Sequence, residues 1–316
     1  MAIDPVILFF VLGVAAGLMR SELRLPAPVY ELVSMILLLS IGLKGGVELA
    51  RQPALDLMPQ IAAVTVMGIV LTLLAFPLLR GLGRFSRVDA AAIAAHYGSV
   101  SVGTFAVAAA YLTYRQIGFE QHMPLFVVVL EIPAIIIGVL LAKGLGRQQA
   151  WGRMLHEVLC GKSMVLLVGG LLVGWVAGED GVQSIKPLFF DLFKGVLALF
   201  LLEMGLIAAG HVGGLLRQGL FLLGFGMAMP LIGAVVGTMV ALGLGLSLGG
   251  TVLLATMAAS ASYIAAPAAF RLVVPEAKPA FSLATSLGVT FPFNIVLGIP
   301  LYHWMAERAQ MMKGVW

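Results

Sequence analysis

Long apolar stretches alternate with short polar segments along the whole chain, and this pattern predicts a bundle of membrane-spanning helices. A helix needs about 20 mostly apolar residues to cross the hydrocarbon core, and about 17 suffice when neighbouring helices support it. The stretches that approach or exceed this length are 4–19, 28–44, 57–79, 89–112, 123–142, 163–178, 189–207, 219–242, 250–271 and 280–305. The sequence therefore predicts an all-α polytopic membrane protein with ten transmembrane helices.

Short motifs recur in the two halves of the chain. The matches are Ile41-Gly42-Leu43 with Met204-Gly205-Leu206, Ser99-Val100-Ser101 with Ser260-Ala261-Ser262, and Pro133 with Pro292. Their separations are nearly constant at 163, 161 and 159 residues (204 − 41, 260 − 99 and 292 − 133). We therefore expect a first five-span repeat at 1–142, a cytoplasmic connection at 143–162 and a second repeat at 163–316. Because five is odd, the second repeat is inverted, as in many secondary transporters, which bind substrate near the midplane between broken helices.

Basic residues divide unevenly between the two ends of the predicted spans. The less basic end holds Lys44, Arg51, Arg115, Lys186, Lys194, Arg308 and Lys313, and the other 12 of the 19 Lys and Arg residues lie at the opposite end. Cytoplasmic loops are enriched in Lys and Arg, so the more basic end is expected inside the cell. This orientation puts both termini outside, in an inner (plasma) membrane of bacterial type. Lys44 is expected to extend its amine from its span toward the interface.

Composition excludes a soluble protein. The chain is 61% hydrophobic and 11% charged, with a mean hydropathy of +1.06, against about 45–50% apolar and about 25% charged residues in soluble domains. The net charge of +4 follows from basic cytoplasmic loops, so no nucleic-acid partner is expected. A lone cysteine, Cys160, permits neither an internal disulfide nor a cysteine metal cluster.

The two Ser-x-Ser elements lie at the centres of the fourth and ninth spans. Gly98 and Gly103 weaken the first of these helices, and Pro267 limits the second. A helix break in hydrocarbon is tolerated where the freed backbone groups line a polar cavity. Freed N–H groups and hydroxyls would suit a small anion, and freed carbonyls would suit Na⁺. Such residues also serve as helix-packing faces, but their pairing in two inverted copies favours a binding site.

Ionisable residues within spans are costly and are candidates for function. Glu131, beside Pro133, is the strongest candidate for a cation site or a structural ion pair. His96 lies one turn before Ser99, and Asp89 opens the fourth span as a possible N-cap. An intramembrane enzyme is disfavoured, because His96 and Ser99 at i,i+3 have poor geometry for proton transfer. A channel is less consistent with inverted halves than alternating access, and no P-loop for an ATP-driven pump is present.

The segments 94–101 and 258–268, with the paired serines, closely resemble the SbtA-type sodium-dependent bicarbonate transporters. The segments 39–46 and 291–294 are similar as well, and the resemblance extends over all ten spans. It implies two inverted repeats arranged as a gate part and a core part, usually in a homotrimer. Spans four, five, nine and ten would belong to a core that moves against the gate by an elevator mechanism.

Residue by residue, the resemblance also implies ligand sites. Those expected to hold bicarbonate are Gly98, Ser99, Ser101, Ala259 and Ser260. Those expected around Na⁺ are Tyr97, Ser101, Thr104, Glu131, Thr256, Ser262 and Asn294. Na⁺ is then the coupling ion, with no organic cofactor.

The resemblance predicts a symporter that takes up bicarbonate with Na⁺. The connection at 143–162 is shorter than in cyanobacterial members, which a PII-like protein controls from the cytoplasmic face, and this departure counts against such a partner here. The alternative is a Na⁺- or H⁺-coupled transporter of another small monoanion, such as a short carboxylate.

Overall fold

Every regular element in the described part of the chain is helical. The computed structural model describes residues 5–51, 57–144, 152, 156 and 159–313. Its main helices are α1 (Pro5–Leu18), α2 (Ala27–Leu49), α3 (Met58–Pro77), α4 (Arg87–Gly98), α5 (Val102–Tyr114), α6 (Met123–Lys143), α7 (Lys162–Gly181), α8 (Phe193–Gln218), α9 (Leu220–Gly243), α10 (Leu248–Ala258), α11 (Ala265–Val273) and α12 (Pro279–Met312). The predicted all-α class is confirmed.

Eight segments in the described ranges are long and apolar enough to cross a membrane. They are Ala27–Leu49, Met58–Leu82, Arg87–Tyr114, Met123–Lys143, Lys162–Gly181, Phe193–His211, Leu220–Gly243 and Pro279–Met312. The other two predicted spans fall on shorter apolar helices, α1 of 14 residues and α10 of 11 residues. A polytopic membrane protein is therefore established, while the count of ten crossings stays a prediction. The predicted connection at 143–162 lies largely outside the described residues.

Short irregular turns connect or interrupt several helices. A π-helical turn at Leu78–Leu82 extends α3, and a 3-10 turn and a π-turn at Gln183–Ile185 and Pro187–Asp191 lead into α8. Helix α12 contains π-helical turns at Ser286–Thr290 and Asn294–Gly298, on either side of Pro292. Proline removes a helical hydrogen bond, and this accounts for a widened turn beside it.

Glycines allow two helix pairs, α1 with α8 and α2 with α7, to pack backbone against backbone. A methyl group on Gly13 would collide with the Leu202 carbonyl of α8, and one on Gly42 would collide with the Leu167 carbonyl of α7. Small residues spaced four apart allow this close approach between membrane helices. The two pairs lie beside each other, because α2 also contacts α8.

The remaining helices surround α4 and α10. Helix α4 packs against α3 and α6, and α10 packs against α9 and α12. Every residue from Asp89 to Gly98 is buried, as is every residue from Gly249 to Ala258. The ends of α4 and α10 thus both lie in the interior of the protein. Asp89 does not cap α4 as expected: Ser86 is the N-cap, and Asp89 accepts a hydrogen bond from the Lys278 N–H at 2.9 Å.

Candidate functional site

The fourth predicted span is broken where the sequence indicates. Helix α4 ends at Gly98, Ser99 and Ser101 are extended (φ −85° and −100°), and α5 starts at Val102. Position 98 requires glycine, since a methyl group there would collide with the Thr72 hydroxyl. Ser101 caps α5 by accepting the N–H of Thr104 at 3.1 Å, as N-cap serines commonly do.

A second break separates α10 from α11. Helix α10 ends at Ala258, and α11 does not begin until Ala265. The Ser260 hydroxyl donates to the Met257 carbonyl at 2.8 Å, and the Ser262 hydroxyl accepts the Ala266 N–H at 3.3 Å. Both serine hydroxyls of this break therefore form a hydrogen bond with a backbone group of their own chain segment.

The two breaks are joined directly by hydrogen bonds. The Ser101 N–H donates to the Ser260 hydroxyl at 2.9 Å, and the Ser262 N–H donates to the His96 carbonyl at 2.8 Å. Ser99, Ser101, Ser260 and Ser262 are all buried. Each break thus supplies hydrogen-bond partners for backbone groups of the other. Irregular structure inside a membrane protein requires such partners, because no lipid group can replace them.

A few polar atoms at this junction are left without a partner. Within the described chain, the Ser99 hydroxyl and His96 Nε2 are buried without a hydrogen bond. The Ser101 oxygen accepts both the N–H and the hydroxyl of Thr104 (3.1 and 2.9 Å), and its own hydroxyl also lies within reach of the Tyr263 hydroxyl. Buried polar groups are nearly always hydrogen-bonded, so an exception marks a place where a water, an ion or a ligand can bind. The N-terminal end of α5 adds a positive partial charge at the same point.

Most of the predicted site residues meet at this junction. The residues brought together are Gly98, Ser99, Ser101, Thr104, Ala259, Ser260 and Ser262. Asn294 joins them through the Ala259 carbonyl, to which its amide donates at 2.9 Å. Because Asn294 also accepts the Tyr302 hydroxyl at 2.7 Å, both ends of its amide are occupied by protein groups.

Three predicted residues have different surroundings. The Tyr97 hydroxyl lies 2.6 Å from the Thr290 hydroxyl, and the Thr256 hydroxyl donates to Val252 within α10 at 2.8 Å. Glu131 is buried, and its Oε2 has no hydrogen-bond partner among the described residues. Its neighbour Leu130 and the Gly98 carbonyl both pack against Gly68, so Glu131 is at the level of the α4 end.

No cluster of three or more His, Cys, Asp or Glu side chains suited to a metal ion occurs in the described ranges. Any cation at the breaks would therefore be bound mainly by hydroxyl and carbonyl oxygens, which are hard ligands that suit Na⁺. Glu131 is the carboxylate that could supply negative charge at this level.

Two aromatic residues that sequence reasoning missed cover the first break. A methyl group on Gly103 would collide with the Tyr263 hydroxyl and would lie 2.8 Å from the Phe200 ring. With Ile41 and Ile264, these rings line a cleft of only about 20 Å³ beside the start of α5. Phe200 belongs to α8 and Tyr263 to the second break, so the two rings fill the space between the start of α5 and the helices α2 and α8. In the sequence, Gly103 was the residue that could have indicated these close aromatic contacts, but a glycine there predicted only a weakened helix.

Gly245-Leu246-Ser247-Leu248-Gly249 has the spacing of a hydrolase nucleophile elbow. The structure assigns Ser247 another role: it caps α10 by accepting the Gly250 N–H at 3.1 Å and donates to Glu120 at 3.0 Å. A strand does not precede it, since α9 ends at Gly243. This motif therefore does not favour an enzyme.

The fold and site define a polytopic helical membrane protein with a buried polar junction between two broken helices. The model of the Na⁺-dependent bicarbonate transporter superfamily matches residues 5–307, and the chain belongs to this family. The family is one of transporters, which agrees with a chain that is not an enzyme. Comparison with curated proteins found no match.

Proposed function

We propose that this protein is a symporter that takes up bicarbonate together with Na⁺ and binds both at the junction of the two broken helices. One observation carries the proposal: the breaks bond to each other through Ser101 and Ser260, yet leave the buried Ser99 hydroxyl without a partner. Membership in a family of Na⁺-dependent bicarbonate transporters supplies the two substrates.

Bicarbonate would bind against the α4–α5 break. The Ser99 and Ser101 hydroxyls and the N-terminal end of α5 are donors suited to its oxygens. Gly98 and Ala259 leave room because their side chains are minimal. The Ser260 hydroxyl already accepts one hydrogen bond and donates another. It would therefore maintain the geometry of the site and contribute less to binding the anion itself.

Na⁺ would bind next to the anion, within the oxygen-rich set predicted from the sequence. Neither 96–104 nor 256–264 contains Lys or Arg, so a buried anion here lacks a fixed positive charge. A cation a few ångströms away would stabilise it strongly in this poorly hydrated interior. The two substrates would therefore bind cooperatively. The Glu131 carboxylate would add to the attraction for Na⁺ from the neighbouring helix.

Equivalent contacts in the two halves support the inverted repeat. Gly13 packs on the Leu202 carbonyl as Gly170 packs on the Leu39 carbonyl, and Gly205 packs on the Phe10 carbonyl as Gly42 packs on the Leu167 carbonyl. In the first comparison Gly13 of α1 takes the place of Gly170 of α7, and in the second Gly205 of α8 takes the place of Gly42 of α2. Helix α1 therefore corresponds to α7, and α2 corresponds to α8. Two repeats related by a pseudo-two-fold axis produce this exchange.

In the proposed elevator, the glycine-packed helices α1, α2, α7 and α8 form the gate. The core would contain α4, α5, α6, α10, α11 and α12 and would carry the junction past the gate. As in the sequence-based expectation, we propose ten crossings, a homotrimer and an inner-membrane location with both termini outside. The connection at 143–162 would be cytoplasmic.

The Na⁺ gradient is sufficient to drive such uptake. A tenfold inward gradient supplies about 1.4 kcal/mol, which supports about tenfold accumulation of bicarbonate at one ion per anion. That stoichiometry is electroneutral. A second Na⁺ would add about 2.3 kcal/mol per 100 mV of membrane potential.

Uptake of ¹⁴C-bicarbonate into proteoliposomes tests the proposal, with an inward Na⁺ gradient compared with an equal K⁺ gradient. The assay is run at a pH where little CO₂ forms, with protein-free liposomes as the control. We expect uptake to depend on Na⁺. Uptake that is equal in K⁺ would refute Na⁺ coupling. Competition by excess acetate at the same pH would instead favour a short carboxylate as the substrate.

A further inference from the structure

A cavity of about 790 Å³ opens at the end of α2, between the proposed gate and core. One wall is formed by α2, the turns at Gln183–Ile185 and Pro187–Asp191 and the start of α8. The opposite wall is formed by α5 and the segment 116–121. Ile41 lines both this cavity and the narrow cleft beside the α4–α5 break. The cavity thus leads from the surface toward the aromatic cover of the junction.

Positive charge in this cavity is only partly neutralised. Its basic residues are Lys44, Arg51, Lys186 and Lys194, and its acidic residues are Glu48, Glu179 and Asp191. Arg51 forms ion pairs with Glu48 and Glu179. Across the described ranges, the three lysines have no carboxylate within 4.0 Å.

Lys44 lies deepest of the three lysines, one helical turn from Ile41. Its Nζ is 4.0 Å from the ring centre of Phe193 and 5.7 Å from that of Phe190. A ring face attracts the ammonium and fixes its position, and Asp191 attracts it from more than 4.0 Å away, so its N–H donors can still bind an oxyanion. Lys44 is half-buried, so solvent screens it less than it screens a surface lysine.

We infer that Lys44 forms a second anion site in this cavity, which captures bicarbonate before it reaches the junction. The site rests on the proposed function for the identity of its ligand. The cavity has four basic residues against three acidic ones, and an excess of positive charge in a cleft raises the local concentration of anions and the rate of their capture. The ammonium would bind one bicarbonate oxygen on one side while the Phe193 ring keeps it in position on the other.

Three variants test the site by kinetics at low ionic strength. We expect Lys44→Gln to raise the KM for bicarbonate about tenfold, the lower end of such charge focusing, with the maximal rate unchanged. Lys44→Arg should keep the wild-type KM. The matched control is Lys278→Gln, because Lys278 also lies over a ring, 5.6 Å from Phe281, but does not line the cavity. An unchanged KM in Lys44→Gln, or a lower maximal rate at the same KM, would overturn the inference.

Competition labelling tests the same site without transport. Purified protein is acetylated with an N-hydroxysulfosuccinimide ester in bicarbonate or in gluconate of equal ionic strength, and each lysine is quantified by mass spectrometry. Bicarbonate should slow the acetylation of Lys44 and leave that of Lys278 unchanged. Equal protection of both lysines, or of neither, contradicts the inference. Protection of Lys44 in a protein that takes up no bicarbonate would refute the proposed function alone.

Discussion

The two helix breaks have the same Ser-x-Ser sequence but use it differently. In the α10–α11 break, the Ser260 hydroxyl bonds to two backbone groups and the Ser262 hydroxyl caps its own helix. In the α4–α5 break, the Ser99 hydroxyl has no partner among the described groups, while the Ser101 hydroxyl accepts from Thr104 and lies close to the Tyr263 hydroxyl. Repeated sequence therefore does not mean repeated chemistry. We propose that the α10–α11 break mainly supplies structure and that the α4–α5 break offers the Ser99 hydroxyl as a donor for a substrate.

The largest effect is expected for Ser260→Ala, which removes the bond between the breaks. The buried Ser101 N–H would lose its acceptor, at a cost of about 1–3 kcal/mol in stability. Both the melting temperature and bicarbonate uptake should fall. The control is Ser40→Ala, which removes a buried serine whose hydroxyl bonds only within α2, to the Ile36 carbonyl. A Ser260→Ala protein as stable and active as Ser40→Ala would contradict the structural role of this break.

Gly103→Ala should have the next largest effect, through the aromatic cover. The added methyl group would collide with Tyr263 and crowd Phe200, and such overpacking costs about 1–3 kcal/mol. We expect a lower melting temperature and a reduced maximal uptake rate. Gly118→Ala is the matched control, since nothing lies within 4 Å of a methyl group at that position. If the two variants behave alike, the cover is not closely packed in the working protein.

Ser99→Ala should affect uptake without affecting the fold. Its hydroxyl has no protein partner in the described ranges, so its removal leaves no new unpaired group in the protein and the melting temperature should stay near the wild-type value. A hydrogen bond to a charged ligand contributes about 1.5–3 kcal/mol, so the KM for bicarbonate should rise about tenfold or more. Uptake kinetics and melting curves on the same preparation separate the two effects. A destabilised protein with normal KM would reverse the roles assigned to the two breaks.

The smallest change is expected for Glu131→Gln, which keeps the shape of the side chain and removes its charge. The buried carboxylate should attract Na⁺ from α6, so the half-saturating Na⁺ concentration should rise about 3- to 10-fold. The KM for bicarbonate at saturating Na⁺ should stay near the wild-type value. Unchanged Na⁺ dependence would leave Glu131 with a structural role only.

Sequence reasoning located the breaks because their causes are local. Gly98, Gly103 and the serine hydroxyls each weaken or cap a helix, and these effects act over a few residues. The apolar stretches likewise predicted the helices, although 28–44 proved too short for α2, which continues through Gly45 and Gly46 to Leu49. Those glycines pack closely on α7 and Pro124, so tertiary contacts overrode their low helix propensity.

The division of roles between serines could not be predicted. It depends on which atoms meet across about 160 residues of chain, as Ser101 and Ser260 do. The same is true of Tyr263 above Gly103, and of Lys44, whose amine lies over Phe193 in α8. Periodicity places a side chain on a helix but does not identify the neighbour that it faces.

Equilibrium binding tests the central claim, that Na⁺ and bicarbonate share the junction at the α4–α5 break. The measurement is the shift in melting temperature of the purified protein caused by bicarbonate, in Na⁺ or in K⁺, for wild type, Ser99→Ala and Ser40→Ala. A ligand that binds only the folded state raises the melting temperature, and coupled ligands raise each other's affinity equally. We predict stabilisation in Na⁺ but not in K⁺, lost in Ser99→Ala and retained in Ser40→Ala. Equal stabilisation in both salts, or in both variants, would contradict the account.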